Sequence, residues 1–380
     1  MKYSQSLKQT DKNHRLAKCI KFLQQQDLDG LIIYSKGAVH ILRPAYFYYF
    51  TGVRPLDGKS AVVVSKSGQV VLLMESSCGI GRVAGKTWIS DIRDSVDFTC
   101  DLPSIMRELK IDSSVGIAGI KEISTDVYDK ISQIAVARTA ENIVEALASD
   151  KSEHELAIVR RTAKIADRGF HVFLESIRPG IREYELIAET GYAMRAAGAD
   201  DIFMLISSER HNKALHRPLD KRMELGDTII VEMAPFCEGQ CVQVCRTVYI
   251  GKPNKILKEK YQLLVRAFNA SLEKIKPGLP ASAMSIVMNK IITKAGYGEY
   301  CRPPHMRARG HGFGVGSISP GPVIDDVNNV IVKPGQVLIS HPNQYFPETG
   351  YLACGETVMV IDNGFERLLH SETRLYSKEF

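Results

Sequence analysis

The 380-residue sequence lacks any apolar run long enough to cross a membrane, and its cysteines lack the spacing of a zinc knuckle. The longest apolar stretches, such as Ala61–Val64 and Val70–Met74, fall far short of the roughly 20 residues that a span needs. The polar, lysine-rich stretch Met1–Lys18 lacks the apolar core of a secretory signal. No C-x-x-C pair occurs among the 8 cysteines, which favours free thiols in a reducing compartment. We therefore expect a cytoplasmic protein that makes no membrane contact.

The sequence also lacks a large excess of positive or negative charge. The 49 Lys and Arg residues against 43 Asp and Glu residues leave a net charge of +6, and the densest basic patches are short, such as Lys255–Lys260. Nucleic-acid binders concentrate positive charge on one face, with stacking aromatic residues between. The sequence therefore predicts no nucleic-acid partner. The apolar fraction of 44% is ordinary for globular chains, and the length favours two domains.

Several motifs of familiar enzyme classes are absent. Gly85-Lys86-Thr87 is similar to the end of a phosphate-binding P-loop, but Ile80 stands where that loop needs its first glycine. Gly310–Gly316 has glycine at alternate positions, which differs from the G-x-G-x-x-G pattern of dinucleotide-binding folds. Neither a G-x-S-x-G elbow nor an H-E-x-x-H helix occurs. These absences exclude the corresponding nucleotide-binding, serine-hydrolase and zinc-peptidase motifs.

Residues 1–150 show an alternating pattern of helices and strands. Leu16, Ile20 and Leu23 recur on one helical face. Short β-branched runs predict strands at Gly30–Tyr34, Ser60–Val64, Gln69–Met74 and Val115–Gly119. Helical periodicity predicts helices at Ser124–Ala135 and Thr139–Ala148. The change of character near Ser149–Ser152 predicts a domain boundary there.

Residues 151–380 change from helices to strands and back. Ser152 and Glu155 have the spacing of a capping box that opens a helix over Glu153–Phe173. Further helices are predicted at Tyr184–Ala197, Lys258–Lys274 and Ser282–Ala295. Strands are predicted at Thr228–Met233, Cys241–Ile250, Gln336–Ser340 and Glu356–Ile361, with a turn at Glu238-Gly239. The sequence thus predicts an α/β (α+β) protein with domains 1–150 and 151–380.

A series of short motifs runs through the second domain in a fixed order. The motifs are Leu215-His216-Arg217-Pro218, Leu225-Gly226-Asp227, Val231-Glu232, Gln243-Val244-Cys245-Arg246-Thr247, Gly310-His311-Gly312-Phe313-Gly314, His341-Pro342 and Gly355-Glu356-Thr357-Val358. Together they resemble the pita-bread family, which includes methionine aminopeptidase, aminopeptidase P, prolidase and creatinase. The first domain resembles, more loosely, the N-terminal domain of the prolidase and creatinase branch. The resemblance implies a creatinase-like α/β domain followed by a pita-bread domain.

Peptidases of that family hold two metal ions with two Asp, one His and two Glu residues. The resemblance puts Glu232 and Gln243 at the two Asp positions, His311 at the His position, and His341 and Glu356 at the two Glu positions. A glutamine amide is neutral and a weak ligand, and an imidazole replaces an anion at position 341, so the formal charge of the set falls from about −4 to about −2. Two neighbouring divalent ions need that charge to offset their repulsion. The resemblance therefore predicts no dinuclear centre in this chain.

Two imidazoles and a carboxylate are an ordinary set for one ion. By the same resemblance, His311, His341 and Glu356, with Glu232 as a further ligand or as a base, are predicted to hold either no metal or a single divalent Zn, Mn or Fe ion.

The resemblance also implies roles in catalysis. His216 is retained where creatinase-type relatives carry their acid/base, and creatinase works without a metal, so His216 is predicted to shuttle protons. Glu356 and Glu232 are predicted to orient the substrate or a water molecule. Cys245 stands at the position of a creatinase carboxylate and shares a strand face with Gln243, so both are predicted to contact the substrate. A further functional interpretation of Cys245 is a nucleophilic or metal-binding thiolate near His216, and the alternative is ordinary apolar packing in a core strand.

Two further residues are predicted to bind the substrate. Arg309 precedes the glycine-rich segment, and its guanidinium could pair with a carboxylate; a solvated loop residue is the alternative. Tyr351 flanks a strand of the site, where core packing is the alternative.

Three functions remain open at this point. The first is a hydrolase that cleaves a C–N bond in a small amino-acid-, guanidino- or dipeptide-like substrate. The second is a metal-dependent Xaa-Pro aminopeptidase or prolidase with an altered ligand set. The third is a non-catalytic protein that binds a ligand in the same cavity. Relatives of this two-domain build are usually homodimers, which the resemblance implies here too.

Overall fold

A computed structural model describes residues 9–37, 45–55, 58–75, 81, 83–149, 151–313 and 323–380. Two compact units divide the chain, Met1–Asp150 and Lys151–Phe380. Within the described ranges, no helix is both long enough and apolar enough to span a bilayer.

The first unit contains one six-stranded mixed sheet. Its strands are β1 (Gly30–Ser35), β2 (Ser60–Ser65), β3 (Val70–Met74), β4 (Asp91–Asp94), β5 (Ser114–Ala118) and β6 (Val136–Thr139), in the order β4-β3-β2-β1-β5-β6. Its described helices are α1 (Gln9–Gln25), α2 (Tyr46–Thr51), α3 (Phe98–Glu108), α4 (Thr125–Ser132) and α5 (Glu141–Ser149). The predicted α/β pattern is confirmed for this part of the chain.

Two strands of this sheet were not predicted from the sequence. Asp91–Asp94 and Val136–Thr139 lie at the two edges, and most of their residues are partly or fully exposed. An edge strand of polar residues buries no apolar face, so it leaves no alternating pattern in the sequence.

The second unit is built on a larger sheet with helices. The helices are α6 (Glu153–Ser176), α7 (Glu183–Ala196), α8 (Lys255–Leu272) and α9 (Ser282–Ile292). The strands are β7 (Asp201–Glu209), β8 (Thr228–Cys237), β9 (Gln240–Cys241), β10 (Val244–Ile250), β11 (Gly310–Phe313), β12 (Val337–Ser340), β13 (Gln344–Phe346), β14 (Gly350–Leu352), β15 (Gly355–Ile361), β16 (Gly364–Arg367) and β17 (Tyr376–Lys378). The main path of the sheet is β11-β12-β15-β10-β8-β7, and β13 and β14 form a separate hairpin. The predicted order of helices and strands, and with it the predicted fold class, is confirmed.

The capping box at the start of α6 is present as predicted. The Ser152 hydroxyl accepts a hydrogen bond from Glu155 N at 3.2 Å, and the Glu155 carboxylate accepts one from Ser152 N at 2.9 Å. Each bond provides an acceptor for a backbone N–H group at the start of the helix that has no partner within the helix.

The predicted strand Cys241–Ile250 is interrupted at Val242-Gln243. Pro235 of β8 lies opposite Val242 and has no N–H to donate to the ladder. In the described structure, the two strands are therefore joined there by one hydrogen bond, from Val242 N to Pro235 O at 3.4 Å. Strand β10 begins at Val244, where the pairing with β8 resumes through Met233. Gln243 thus lies at the gap between β9 and β10.

The pairing registers sort the site residues onto two faces of the sheet, because directly opposed residues point to the same side and neighbours alternate. The outer face carries Val244, Arg246, Leu338, Ser340 and Glu356 and is covered by helices. Leu338 belongs to the same buried core as residues of α8 and α9, and the Arg246 guanidinium lies 5.8 Å from the Phe170 ring of α6. The inner face carries Glu232, Gln243, Cys245, His311, His341 and Thr357.

Candidate active site

Glu232 is the centre of a cluster on the inner face. Its Oε1 accepts a hydrogen bond from Asn343 Nδ2 at 2.9 Å and lies 3.7 Å from the Cys245 thiol. Gln243 Nε2 lies 3.7 Å from the same sulfur. Asn343 is itself fixed, because its Oδ1 accepts a hydrogen bond from Cys354 N at 2.7 Å. The structure therefore brings Glu232, Gln243 and Cys245 together, as predicted, and adds Asn343.

Burial changes the acid–base properties of this cluster. It raises the pKa of Glu232 to about 7, although the hydrogen bonds from Cys245 and Asn343 act in the opposite direction. Glu232 can therefore take up and release a proton near neutral pH. Burial, together with the charge of Glu232, also raises the pKa of the Cys245 thiol well above its ordinary range. Cys245 is consequently a protonated hydrogen-bond donor here, which does not favour a thiolate nucleophile.

Two neutral imidazoles stand on the same face. The ring centroids of His311 and His341 are 5.8 Å apart. Burial lowers the pKa of His311 to about 4; burial and the neighbouring His311 lower the pKa of His341 to about 3. His311 Nδ1 lies 3.2 Å from Gly312 O, whereas the buried His341 Nδ1 has no hydrogen-bond partner in the described part of the chain.

Gln243 is fixed through its backbone, not through its side-chain oxygen. Its N–H donates to Thr357 Oγ1 at 2.8 Å, and its carbonyl accepts from Thr357 N at 3.1 Å. The residue is only 3% exposed, yet its Oε1 has no hydrogen-bond partner among the described residues. A buried carbonyl oxygen without a donor is costly, so this atom is prepared to accept a bond from a ligand.

The position of Glu356 corrects the sequence-based assignment. Its carboxylate lies on the outer face, fully buried, and accepts hydrogen bonds from Arg246 at 2.9 Å, Arg367 at 2.8 Å and Thr373 at 2.7 Å. Its neighbour Gly355 pairs with Cys245 and occupies the inner-face position. Glu356 is therefore a structural anion that pairs with two guanidinium groups, away from the face that holds Glu232.

No side chain fits at Gly355. A Cβ there would lie 2.3 Å from Ser340 O and 2.6 Å from His341 Cα, and the backbone has φ +147°, which side-chain-bearing residues rarely adopt. The strand thus brings its backbone close to His341 and offers no ligand to the inner face at this point.

Arg309 also differs from its predicted role. It is 1% exposed, and its guanidinium donates to Asn289 Oδ1 at 2.8 Å, to the carbonyls of Pro342 and Asn343 at 3.1 and 2.9 Å, and to Gln344 Oε1 at 2.8 Å. These bonds use the donors that a substrate carboxylate would need. Arg309 therefore stabilises the segment that carries Asn343, and its guanidinium is not available as a bidentate partner for a substrate carboxylate.

Tyr351 lies beside the cluster, and its predicted contact with the substrate stays a prediction. It pairs with Tyr345 across the β13–β14 hairpin. Burial raises the pKa of Tyr351, and the nearby Glu232 and Cys245 add to that effect, so the three groups share one environment.

His216 is not brought into contact with Glu232. His216 forms an isolated antiparallel β-bridge with Ile206 of β7, and Ile206 pairs with Val231 of β8. Because directly opposed residues point to the same side, His216 lies on the outer face, whereas Glu232 points to the inner face. Its Nδ1 donates to Arg217 O at 2.8 Å and lies 3.8 Å from the buried Glu183 carboxylate. Its role as a proton shuttle stays a prediction.

Asn343 is the member of the cluster that sequence reasoning missed. The sequence could have indicated Asn343 through its position, because it lies two residues after His341, in a segment that matches a motif of the family. The glycine-rich segment is described only as far as Phe313, and its remaining residues, Gly314–Gly316, lie outside the described ranges.

The residues present do not fit the two-metal centre that the fold family implies. Among the described residues, the inner face offers one carboxylate, one amide oxygen and two neutral imidazoles, and the predicted single-ion set loses Glu356 to the outer face. In the described part of the chain, no group of three or more His, Cys, Asp or Glu residues is placed to hold a metal ion. A two-metal site clamps its ions with shared anionic ligands, which this donor set does not supply.

Comparisons with known proteins identify the relatives of each domain. The model of metallopeptidase family M24 matches residues 157–362, and that of the creatinase/prolidase N-terminal domain matches residues 15–147. The Xaa-Pro dipeptidase of Pyrococcus furiosus is 27% identical over 365 residues, covering 95% of this chain and 99% of that protein. An uncharacterised peptidase of Bacillus subtilis is 32% identical over 248 residues, covering 64% of this chain and 69% of that protein.

Solved structures share the fold. An X-Pro aminopeptidase from Thermotoga maritima superposes with a TM-score of 0.83 at 23% identity, covering 96% of this chain and 99% of that one. An Xaa-Pro dipeptidase from Bacillus anthracis gives a TM-score of 0.82 at 21% identity, covering 97% and 100%. The pita-bread resemblance is confirmed, and the chain belongs to metallopeptidase family M24 as a hydrolase of the creatinase and prolidase type.

Proposed function

We propose that this chain hydrolyses a C–N bond in a small amino-acid-, guanidino- or dipeptide-like substrate without a dinuclear metal centre, using no metal or a single divalent ion. The observation that carries the proposal is the register of β15, in which Gly355 faces the cluster and Glu356 faces the helices. With Gln243 and His341 at two further positions, three of the four anionic ligands of a metal pair are missing from the described inner face.

The chemistry rests on Glu232. Its carboxylate takes a proton from a water molecule, whose oxygen attacks the carbon of the scissile bond. The same proton then passes to the leaving nitrogen as the C–N bond breaks, so Glu232 ends as it began. Asn343 and Cys245 keep the carboxylate oriented through Oε1, and the neutral imidazole of His341 can donate to or accept from the substrate.

The test combines metal analysis with activity. We expect inductively coupled plasma mass spectrometry of the purified chain to find at most one metal ion per chain. If the chain uses no metal, turnover persists after treatment with EDTA; if it uses one ion, turnover is lost and one equivalent of a divalent ion per chain restores it. Substrates are Xaa-Pro dipeptides, amino-acid amides and guanidino compounds. Two tightly held ions per chain, with turnover lost on chelation and restored by Mn²⁺, would overturn the proposal.

A metal-dependent Xaa-Pro dipeptidase is the second candidate. It is favoured by the Pyrococcus furiosus relative, which bears that name and aligns over almost the whole chain. This function predicts release of the N-terminal residue from Xaa-Pro dipeptides, stimulated by Mn²⁺ or Co²⁺. Inertness toward every such dipeptide with either ion present would count against it.

We also propose that the chain forms a homodimer in the cytoplasm. The two-domain resemblance supports the dimer, and the free thiols of the 7 described cysteines, four of them fully or almost fully buried in the second unit, suit a reducing compartment. Size-exclusion chromatography with light scattering checks the assembly: a mass near 42 kDa instead of twice that value would argue for a monomer.

A further inference from the structure

A cavity of about 520 Å³ lies in the second unit, between α8 and the C-terminal segment 373–377. This volume falls within the range of roughly 300–1,000 Å³ that is usual for small-molecule sites. The lining residues from α8 recur at the spacing of one helical face and are Lys258, Tyr261, Gln262, Val265 and Arg266. We call this cavity the α8 pocket. Because α8 packs on the outer face of the sheet, the pocket is separate from the cluster around Glu232.

The lining of the α8 pocket carries positive charge and no acidic side chain. Lys258 and Arg266 are exposed, and neither side chain forms an ion pair or a hydrogen bond with a described residue. The positions three and four residues away from each of them on the helix hold no Asp or Glu. Arg374, on the facing segment, has an exposed partner in Glu372 at 3.2 Å. The pocket therefore has an excess of positive charge that an anionic ligand can offset.

The rest of the lining combines hydrogen-bonding and apolar groups. The Gln262 amide and the Ser377 hydroxyl are exposed and can donate hydrogen bonds to an anion. Pro253, Val265 and Leu375 supply apolar surface beside them. A ligand that matches this lining carries anionic oxygen atoms on an apolar or ring-shaped body.

Both walls of the α8 pocket are anchored in the fold. Thr373, on the C-terminal wall, donates from Oγ1 to the buried Glu356 carboxylate at 2.7 Å and accepts from Arg367 at 3.2 Å. Tyr261, on the helical wall, is 1% exposed and belongs to the same buried core as Phe268. Walls that are already held in place lower the entropic cost of binding a ligand between them.

We propose that the α8 pocket binds a small organic dianion, a molecule with phosphate or carboxylate groups on an apolar body, through Lys258, Arg266 and Arg374. Guanidinium groups pair with both kinds of anion through parallel N–H donors, and the lysine adds a point charge. Val265 and Leu375 face the apolar body across the pocket. This second binding site is independent of the reaction at the inner face, because it lies on the opposite side of the sheet.

Isothermal titration calorimetry of the full chain at an ionic strength of about 0.05 M, where screening is weak, tests the site. Adenosine 5′-monophosphate is the phosphate probe and isophthalate is the carboxylate probe; adenosine and isophthalamide are their neutral analogues. We expect at least one dianion to bind at one site per chain, about tenfold or more tightly than its neutral analogue. The two arms decide whether phosphate or carboxylate is the preferred group. Inorganic phosphate, which has no apolar body, should bind more weakly than the better dianion.

Variants locate the binding on the helix. Lys258→Gln combined with Arg266→Gln should weaken dianion binding about tenfold, because each lost ion pair at an exposed site costs about threefold. Lys255→Gln is the matched control: it removes the same charge from the same helix at a side chain outside the lining, and should change binding less than about twofold. Gln262→Glu should also weaken binding, because it places a negative charge midway between the two cations on the helix. Thermal melts establish that each variant is folded.

Three results would overturn the inference: neither dianion binds more tightly than its neutral analogue, inorganic phosphate binds as tightly as both dianions, or the double variant loses no more affinity than Lys255→Gln. The proposed function is tested by metal content and hydrolysis instead. A chain that requires two Mn²⁺ ions for hydrolysis would contradict the proposed function and leave the α8 pocket as it is.

Discussion

Glu356 shows how the position of one residue within a strand decides its chemistry. A carboxylate one residue earlier would face Cys245 and Gln243, whereas this one faces Arg246 and Arg367. Arg246 is fully buried, and Glu356 is the only acidic side chain with which it forms an ion pair in the described part of the chain. The pair therefore stabilises the fold by preventing an unpaired buried charge, and it takes no part in the cluster around Glu232.

Replacing Glu356 by alanine tests this role. We expect Glu356→Ala to lower the free energy of unfolding by about 3–5 kcal/mol, because Arg246 would remain buried without its partner. Glu366→Ala is the matched control, since it breaks only the exposed pair with Arg160 and should cost at most about 1 kcal/mol. Urea unfolding measures both, with and without Mn²⁺. A Glu356→Ala penalty that appears only when Mn²⁺ is present would return Glu356 to a metal-ligand role.

At the scale of elements, the backbones of β12 and β15 are closely packed where the site begins. The backbone at Gly355 packs against Ser340 O and the Cα of His341, which leaves no room for a side chain. This contact lies at the end of β12, and the segment that follows carries Asn343, which donates a hydrogen bond to Glu232. A glycine here is therefore a requirement of the site's geometry as well as the reason a ligand is missing.

Gly355→Ala should destabilise the chain by about 2–4 kcal/mol, because the new Cβ meets backbone atoms and the φ of +147° disfavours alanine. Gly191→Ala is the matched control: it lies within α7, and nothing lies within 4 Å of its added Cβ. It should leave stability unchanged or raise it by up to about 1 kcal/mol. Denaturant unfolding of the two variants compares them directly. Equal stability of both would show that β12 and β15 can separate at little cost.

At the scale of the whole molecule, the sequence predicted the fold class and most elements, because apolar periodicity and the capping box at Ser152 are local signals. It also predicted that Gln243 and Cys245 share a strand face, since they are two residues apart, and the family resemblance added Glu232 to the same site. The face to which Glu356 points was not predictable, because it depends on strand register. The hydrogen bonds of Arg309 were not predictable either, because they depend on a loop distant in sequence. A one-residue shift in register turns every side chain of the strand to the opposite face of the sheet. A motif match carries no information about register.

The single tryptophan, Trp88, makes the first unit separately observable. Its indole N–H donates to Phe50 O at 2.7 Å and its ring lies 5.5 Å from Phe50, so its fluorescence reports on unfolding of this unit, while far-ultraviolet circular dichroism follows both units. An acid-sensitive group in the same unit is Asp29. Burial alone would raise its pKa, but Lys66 and the backbone N–H groups of Ser114 and Ser113 together lower it.

A carboxylate whose pKa is depressed on folding stabilises the fold above its unfolded pKa, about 3.9, and loses that contribution as the pH falls below it. Asp29→Asn should therefore lower the stability reported by Trp88 at pH 7 by about 1.5–3 kcal/mol and flatten its decline on acidification. Asp362→Asn, at an exposed turn of the second unit, should leave the fluorescence transition unchanged. Urea titrations from pH 7 to about pH 3 check this. If Asp29→Asn and the unchanged chain lose stability equally on acidification, the Lys66–Asp29 contact contributes nothing to the first unit.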